Sequence, residues 1–507
     1  MKKSIFLGVS TVAILAAGIT GCKKVEFDQE YIINPAPNVT SFPNTSQLLS
    51  NALLNAGNDL TISAQVPAFY VQWLMQSQYP EDANYQATNV DWNGYYVGPL
   101  QDLQTIITTN TGSDAGDSRV TENGSNKNQL AIARITKAWF FSIVTDRWGD
   151  VPYSDALKLN LNFNPKYDKQ ADVYNDLFKE LKEGAAQFDG GAAAKGDILF
   201  NGDAAKWKMF ANTLRMVLAM RLSKANPALA KAEFVAAYND PAGFVNSNSR
   251  NLSYTYLNNP NFRSPWNADF ETRDDWGVSD VFLNWLVNTN DKRLAVYAQP
   301  NSLGQYKGIP YGYNRDQLIT WTNSNDYSRM GTKILGYTLT SANRTLISYA
   351  PSPGYIFTAA QMWLTMAEAN ALGWVGTAAD VPTAYATAVK ASWDQWGATY
   401  TAADLTAYLA GAQTSVTGLS GDALMKVIGQ QKWTVLYPNG LEGWSEWRRL
   451  NYPVLTPSAA ALNDSKKIPV RNAYPVNEPI LNGASYKAQV ATMPGGDTHD
   501  VPVWWDK

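Results

Sequence analysis

The chain has 507 residues, with 41 lysines and arginines against 44 aspartates and glutamates, a formal net charge of −3. That balance excludes the basic face that a nucleic-acid partner requires. A single cysteine excludes an internal disulfide framework, and a single histidine excludes a zinc centre built from histidine and cysteine.

Lys2 and Lys3 open the chain, an apolar core follows over 5–19, and the small residues Thr20 and Gly21 lead into Cys22. A charged start, a short apolar core and a small-residue cleavage point predict a secretory signal over 1–21. The core is shorter than the ~20 residues of a spanning helix. Ile19-Thr20-Gly21-Cys22 resembles the bacterial lipobox, which implies cleavage before Cys22 and lipidation of that residue. Each buried methylene of an acyl chain adds roughly 0.8 kcal/mol, so several chains hold firmly. The two lysines lost with the signal leave 39 of the 41 basic residues against 44 acidic ones, a net charge near −5. No apolar run of spanning length follows Cys22. Residues 22–45, with Pro35, Pro37 and Pro43, read as an extended tether. Residues 46–507 then read as one mainly helical binding domain.

Apolar periodicity predicts helices over 46–56, 95–108 and 128–145, the last with Ile132, Ile135, Trp139 and Ile143 on one face. A helix over 172–183 follows, and then a stronger one over 204–223, with Asp203 as its N-cap and Pro227 preventing continuation. Thr358 with Gln361 three residues on reads as a capping box opening a helix that closes at Gly373. Pro382 lies in the first turn of a helix from Asp380 to Gly397, and a further helix is predicted over 424–436. The helices come in neighbouring pairs with alanine-rich faces, as in a solenoid, although no clean 34-residue repeat is present. Between 225 and 351 the texture turns to Asn, Gly, Pro and aromatic residues. Loop regions of that length inside a compact body carry function. The same reading applies to 78–99 and to the tail after Tyr452.

The chemistry of most enzyme classes is missing. There is no Gly-x-Ser-x-Gly elbow, no phosphate-binding Gly-Lys-Ser/Thr loop and no dinucleotide fingerprint. A glycosidase would need two carboxylates, and Asp274, Asp275, Glu442 and Glu446 lie beside aromatic residues, a pattern common by chance. Asp497, Asp500 and Asp506 are oxygen donors of the kind calcium takes, without EF-hand spacing. In contrast, 18 tryptophans and 27 tyrosines accompany only 17% charged residues, a surface suited to uncharged, hydroxyl-bearing ligands as well as to core packing.

Three stretches stand out along the chain. The first is Ala138-Trp139-Phe140-Phe141 with Trp148-Gly149-Asp150-Val151-Pro152-Tyr153. The second is Trp433, Leu436-Tyr437 and Gly443-Trp444-Ser445-Glu446-Trp447-Arg448-Arg449-Leu450. The third is Arg471, Tyr474-Pro475, Glu478, Asn482, Tyr486, Gly495-Gly496-Asp497 and Trp504-Trp505-Asp506. Asp203-Ala204-Ala205-Lys206-Trp207 and the 358–368 segment fall in order between them. Together these stretches resemble the SusD/RagB family of nutrient-binding outer-membrane lipoproteins of Bacteroidota, and the resemblance implies a scaffold of tetratricopeptide-like helix pairs with large loop insertions that carry the ligand site. It further implies no catalysis, no cofactor, and a TonB-dependent transporter of the SusC type as partner. The motif residues read as structural: Gly149 for the turn, Pro152 to stiffen it, and Arg448 and Arg449 in buried ion pairs. Lys23 and Lys24 precede Glu26, Asp28 and Glu30, where surface lipoproteins of this group often carry acids directly. Anchoring on the extracellular side of the outer membrane is the expectation, with the periplasmic side left open.

For an oligosaccharide ligand the expected platform is Trp266, Trp276, Tyr311, Tyr313 and Trp321, with Trp92 and Tyr95 from the earlier loop. Asn267, Asp269, Arg273 and Asp275 are the expected hydrogen-bonding partners. A packing role competes with the ligand role at each aromatic. A peptide-binding member of the same family and a mainly structural lid of the transporter are the alternatives.

Overall fold

The computed structural model describes residues 42–86, 90–269, 275–339, 346–349 and 352–507. Cys22, the segment read as a signal and most of that read as a tether lie outside these residues, as do Arg273 and Asp274. Residues Asn44–Lys507 form a compact unit. It opens with α1 (Thr45–Asp59), whose N-cap Asn44 accepts from the Ser46 and Gln47 amides, so helix begins inside the segment read as tether. Then come α2 (Ile62–Tyr70), β1 (Leu74–Gln76), α3 (Gln101–Thr111) and the 23-residue α4 (Asn126–Trp148).

Strand β2 (Val151–Pro152) pairs antiparallel with β3 (Tyr167–Asp168), and α5 (Gln170–Gln187), α6 (Ala204–Arg221) and α7 (Pro227–Tyr238) follow. Helix α3 packs on α1 and α4, α4 on α5, α5 on α6, and α6 on α7, a serial stack of neighbours. Asp203 caps α6 through the Ala205 and Lys206 amides. Pro227, expected only to stop that helix, occupies the first turn of α7, where a missing N–H costs nothing. The single helix expected over 95–108 is broken: Gly98 has φ −96° and ψ −109° and is followed by Pro99, and regular helix resumes at Gln101.

The middle of the chain contains β4 (Leu252–Tyr256), the turn Pro265–Asp269, β5 (Trp276–Val278), α8 (Asp280–Asn288) and α9 (Arg315–Thr322). Strand β5 pairs with β1 in the register Leu74–Val278, and β4 pairs with β6 (Ser352–Phe357). Helices α10 (Ala359–Ala371), α11 (Val381–Trp396), α12 (Gly421–Val435) and α13 (Gly440–Leu450) complete the scaffold. Thr358 caps α10 through the Gln361 amide, but the Gln361 side chain reaches Glu442 at 3.5 Å rather than returning to Thr358. Helix α10 packs on α11, α12 and α6, and α13 packs back on α2. Gly440 permits that last approach, since a Cβ there would lie 2.0 Å from the Ala64 carbonyl oxygen.

Two hydrophobic clusters result. One runs through the stacked helices, with Phe140, Trp148, Phe210 and Trp393 among its members. The other lies under the loop-rich middle segment, around Trp73, Phe282, Tyr297, Trp433 and Tyr437.

Candidate ligand-binding surface

The motif residues come together in the interior. Glu368 on α10 accepts from Arg449 at 2.5 and 2.7 Å and from Lys432 at 2.8 Å. Glu446 accepts from the same two cations, at 2.7 and 2.8 Å. Arg221 at the end of α6 bridges Asp146 on α4 to Glu442 on α13. Burial opposes the charge on Glu368 and Glu446, yet the Arg449 and Lys432 cations hold both carboxyls below the usual range, Glu446 far below. This network joins five helices of the scaffold. It engages two of the four carboxylates considered for hydrolysis, so neither Glu442 nor Glu446 is offered to a substrate. Arg449 forms the expected ion pairs. Arg448 instead donates to the Asp146 and Val470 carbonyl oxygens and lies 3.9 Å above the Trp444 ring.

The expected aromatic platform divides between the two clusters. Trp92 is 3% exposed and packs against Trp148, Tyr167 and Tyr474. The Tyr95 hydroxyl donates to Asp59 at 2.5 Å and accepts from Arg147. Both are scaffold residues packed against α4, and they do not join the other candidates. Trp266 and Trp276 form a buried edge-to-face pair with centroids 5.1 Å apart. Asn267 is fully buried and donates to the Gly336 carbonyl. The Tyr311 hydroxyl lies 2.8 Å from the Phe69 carbonyl oxygen and 3.0 Å from that of Ala83, which locks the ring between segments.

Tyr313 and Trp321, like Tyr311, are only partly buried, and among the described residues no hydrogen bond of their own side chains ties them to a remote segment. Each is half-exposed, at the start and end of α9. Lys307 lies 5.5 Å from the Trp321 ring centre, and Asn325 donates to the Trp321 carbonyl. The Tyr313 backbone is fixed by Asn84, which donates to its carbonyl at 2.9 Å. Tyr79, absent from the sequence expectation, stands beside them with 42% of its surface exposed and the Arg315 guanidinium 5.1 Å above its ring. Its signal was present in the chain, since Tyr79-Pro80 lies in the 78–99 loop already marked as functional. Asp269 sits exposed on its turn, and loss of hydration together with the Asp275 charge pushes its carboxyl up to about 6. Asp275 is half-buried, its carbonyl accepting from the Ser77 amide.

Tyr79, Tyr313 and Trp321 thus offer ring surface along one helix and its neighbouring loop, interleaved with Arg315, Lys307 and Asn325. Rings of this kind stack on the C–H faces of sugars while the polar groups meet hydroxyls. A cleft of about 660 Å³ between α3, α4 and α5 is a poorer candidate. Its Arg134 is paired with Glu180 and Glu183, and its Lys137 with Gln104. Among the described residues no group of three or more His, Cys, Asp or Glu could hold a metal ion. Asp497 is taken up by Arg471 and the Tyr474 amide, and Asp500 by Ser465.

Residues 37–475 match a family described as starch-binding and associating with the outer membrane. The chain belongs to the SusD-like family. Among solved structures, a chitin-binding protein is 27% identical, with a TM-score of 0.74 over 92% of this chain and 100% of its own. A SusD homologue from Bacteroides uniformis is 24% identical at TM-score 0.74, over 92% of this chain and 98% of its own. A chitin-binding SusD homologue from Flavobacterium johnsoniae is 22% identical at TM-score 0.68, over 92% and 97%. No curated protein matches the chain. The SusD-like fold accounts for the stacked helix pairs. Among the described residues no helix is long and apolar enough to cross a membrane.

Proposed function

We propose that this SusD-like chain is a lipid-anchored receptor that captures oligosaccharides at the extracellular side of the outer membrane. It passes them to a TonB-dependent transporter of the SusC type. The observation that carries this reading is the ring surface left by exposed Tyr79 and half-exposed Tyr313 and Trp321, with Arg315 over the Tyr79 ring and Lys307 over that of Trp321. Aromatic surface beside hydrogen-bonding side chains suits a hydroxyl-bearing ligand. The chitin-binding relatives support a glycan over a peptide, and put chitin fragments beside starch fragments at the head of a panel. Binding alone is the activity: no bond is broken and no cofactor takes part. Cys22 is the lipid attachment point, and residues between it and α1 are the tether.

The test is calorimetry of the chain lacking residues 1–21 against starch, chitin and xylan fragments and a set of oligopeptides. The reading expects heat with at least one glycan and none with the peptides. Binding of peptides alone would transfer the chain to the peptide-binding reading. Retention of a SusC-type barrel through purification, lost with Cys22→Ser only when membranes are removed, tests the partner and the anchor separately.

A further inference from the structure

Another cleft, of about 440 Å³, lies between the start of α6 and β4. It sits on the helical cluster, through Phe200, Met209 and Leu252, whereas α9 packs on the other cluster through Leu318. Strand alternation shapes it. Tyr254 and Tyr256 are buried in the core, so Ser253 and Thr255 turn to the opposite face and line the cleft. Among the described residues neither hydroxyl is engaged in a hydrogen bond. Half-exposed Arg250, in the turn just before β4, and exposed Lys206, in the first turn of α6, line it as well.

The charge here is of one sign. Among the described residues no Asp or Glu lines the cleft, and neither Arg250 nor Lys206 forms an ion pair. The acids nearest in sequence are committed elsewhere: Asp203 caps α6, and Asp240 accepts from the Ala242 amide. The Arg250 guanidinium donates only to uncharged acceptors, from Nε to Met209 Sδ at 3.1 Å, from Nη1 to the Asn246 side chain at 3.3 Å, and from Nη2 to the Ala242 carbonyl at 3.4 Å. A guanidinium has one further N–H on each terminal nitrogen, and such a fork takes two oxygens of one anion side by side. A concave wall carrying one sign of charge also concentrates ions of the other.

We propose that this cleft binds the anionic group of an acidic saccharide, a uronate carboxylate or a sulfate ester. The inference rests on the oligosaccharide reading and adds a subsite with its own substrate class. The anionic oxygens accept from the Arg250 fork, and the Lys206 ammonium adds a second positive charge. Ser253 and Thr255 meet the sugar hydroxyls. The volume falls in the range of small-ligand pockets, roughly 300–1,000 Å³.

Calorimetry of the chain lacking residues 1–21 tests the assignment with trigalacturonate and a sulfated carrageenan tetrasaccharide, each beside its uncharged counterpart, galactotriose and the desulfated tetrasaccharide. At least one acidic ligand is expected to bind about tenfold more tightly than its counterpart, and which one tells carboxylate from sulfate. Arg250→Gln is expected to weaken that ligand about tenfold or more while leaving uncharged sugars unchanged, and Arg250→Lys, which keeps the charge without the fork, to lose less. On the unaltered protein, inorganic sulfate is expected to displace the acidic ligand where chloride at equal ionic strength does not, a readout independent of how the variants fold. Acidic ligands that bind no more tightly than uncharged ones, unchanged affinity in Arg250→Gln, or sulfate no better than chloride would overturn the cleft assignment and leave oligosaccharide capture standing. Heat with no sugar, charged or uncharged, would overturn both.

Discussion

Glu368→Gln is the sharpest probe of what holds the scaffold together. Glu368 is 2% exposed, receives both terminal nitrogens of Arg449 and stands 2.8 Å from the Lys432 ammonium. The amide turns a donor toward one of two buried cations and leaves them sharing Glu446 alone. Breaking a buried pair by removing one partner costs about 3–5 kcal/mol, because the remaining charge cannot recover its hydration. Urea unfolding followed by tryptophan fluorescence should therefore show a fall of that size with an unchanged slope. Lys432→Met in the same chain should restore part of the loss, since one stranded cation is gone. The pH dependence has a definite sign. Glu368 and Glu446 are held below their ordinary values, so their stabilisation is complete above the unfolded glutamate value and is lost as pH falls through the folded one. A loss below about 1 kcal/mol, the range of exposed pairs, would refute the reasoning.

Asp59 should behave in the opposite sense. Burial pushes its carboxyl up to about 6 despite the Tyr95 hydrogen bond and the Arg147 charge, so the ionised form weakens the fold as pH rises from about 4 to 6. Asp59→Asn keeps an acceptor for Tyr95, and should raise Tm relative to the parent at pH 7.5 but not near pH 4, as read by calorimetric melts; about two pKa units correspond to about 3 kcal/mol at most. Gly149→Ala isolates a backbone effect. Gly149 has φ 83° and ψ −121°, while a Cβ there would meet nothing closer than 3.5 Å, so the expected cost of about 1–3 kcal/mol is conformational, and a melt within 1 °C of the parent would contradict it.

Much of the scaffold was legible because its signals are local. Asp203 before an apolar-periodic run, Pro382 in a first turn and Gly397 after a last one each act within a few residues, and each sits at the helix end it marked. Pro227 misled because a proline that ends one helix equally begins the next. The span from 225 to 351, read as loop, also holds α8 and α9, which are 9 and 8 residues long, too short for periodicity to stand out. The candidate site was harder to read. Whether an aromatic ring faces solvent depends on partners remote in the chain: Trp92 is enclosed by Trp148 and Tyr474, and Tyr311 by carbonyls of the 69–83 segment. Composition promised aromatic surface, and of the aromatics named from the sequence Tyr311, Tyr313 and Trp321 stay partly exposed, Tyr311 with its hydroxyl already engaged.

The most direct measurement is the affinity of a Tyr79→Ala/Trp321→Ala chain for whichever oligosaccharide the unaltered chain binds. Ring stacking is worth roughly 0.5–1.5 kcal/mol per aromatic, so the account predicts a loss of about fivefold or more in a double variant that remains folded. Unchanged affinity in a folded double variant would contradict it.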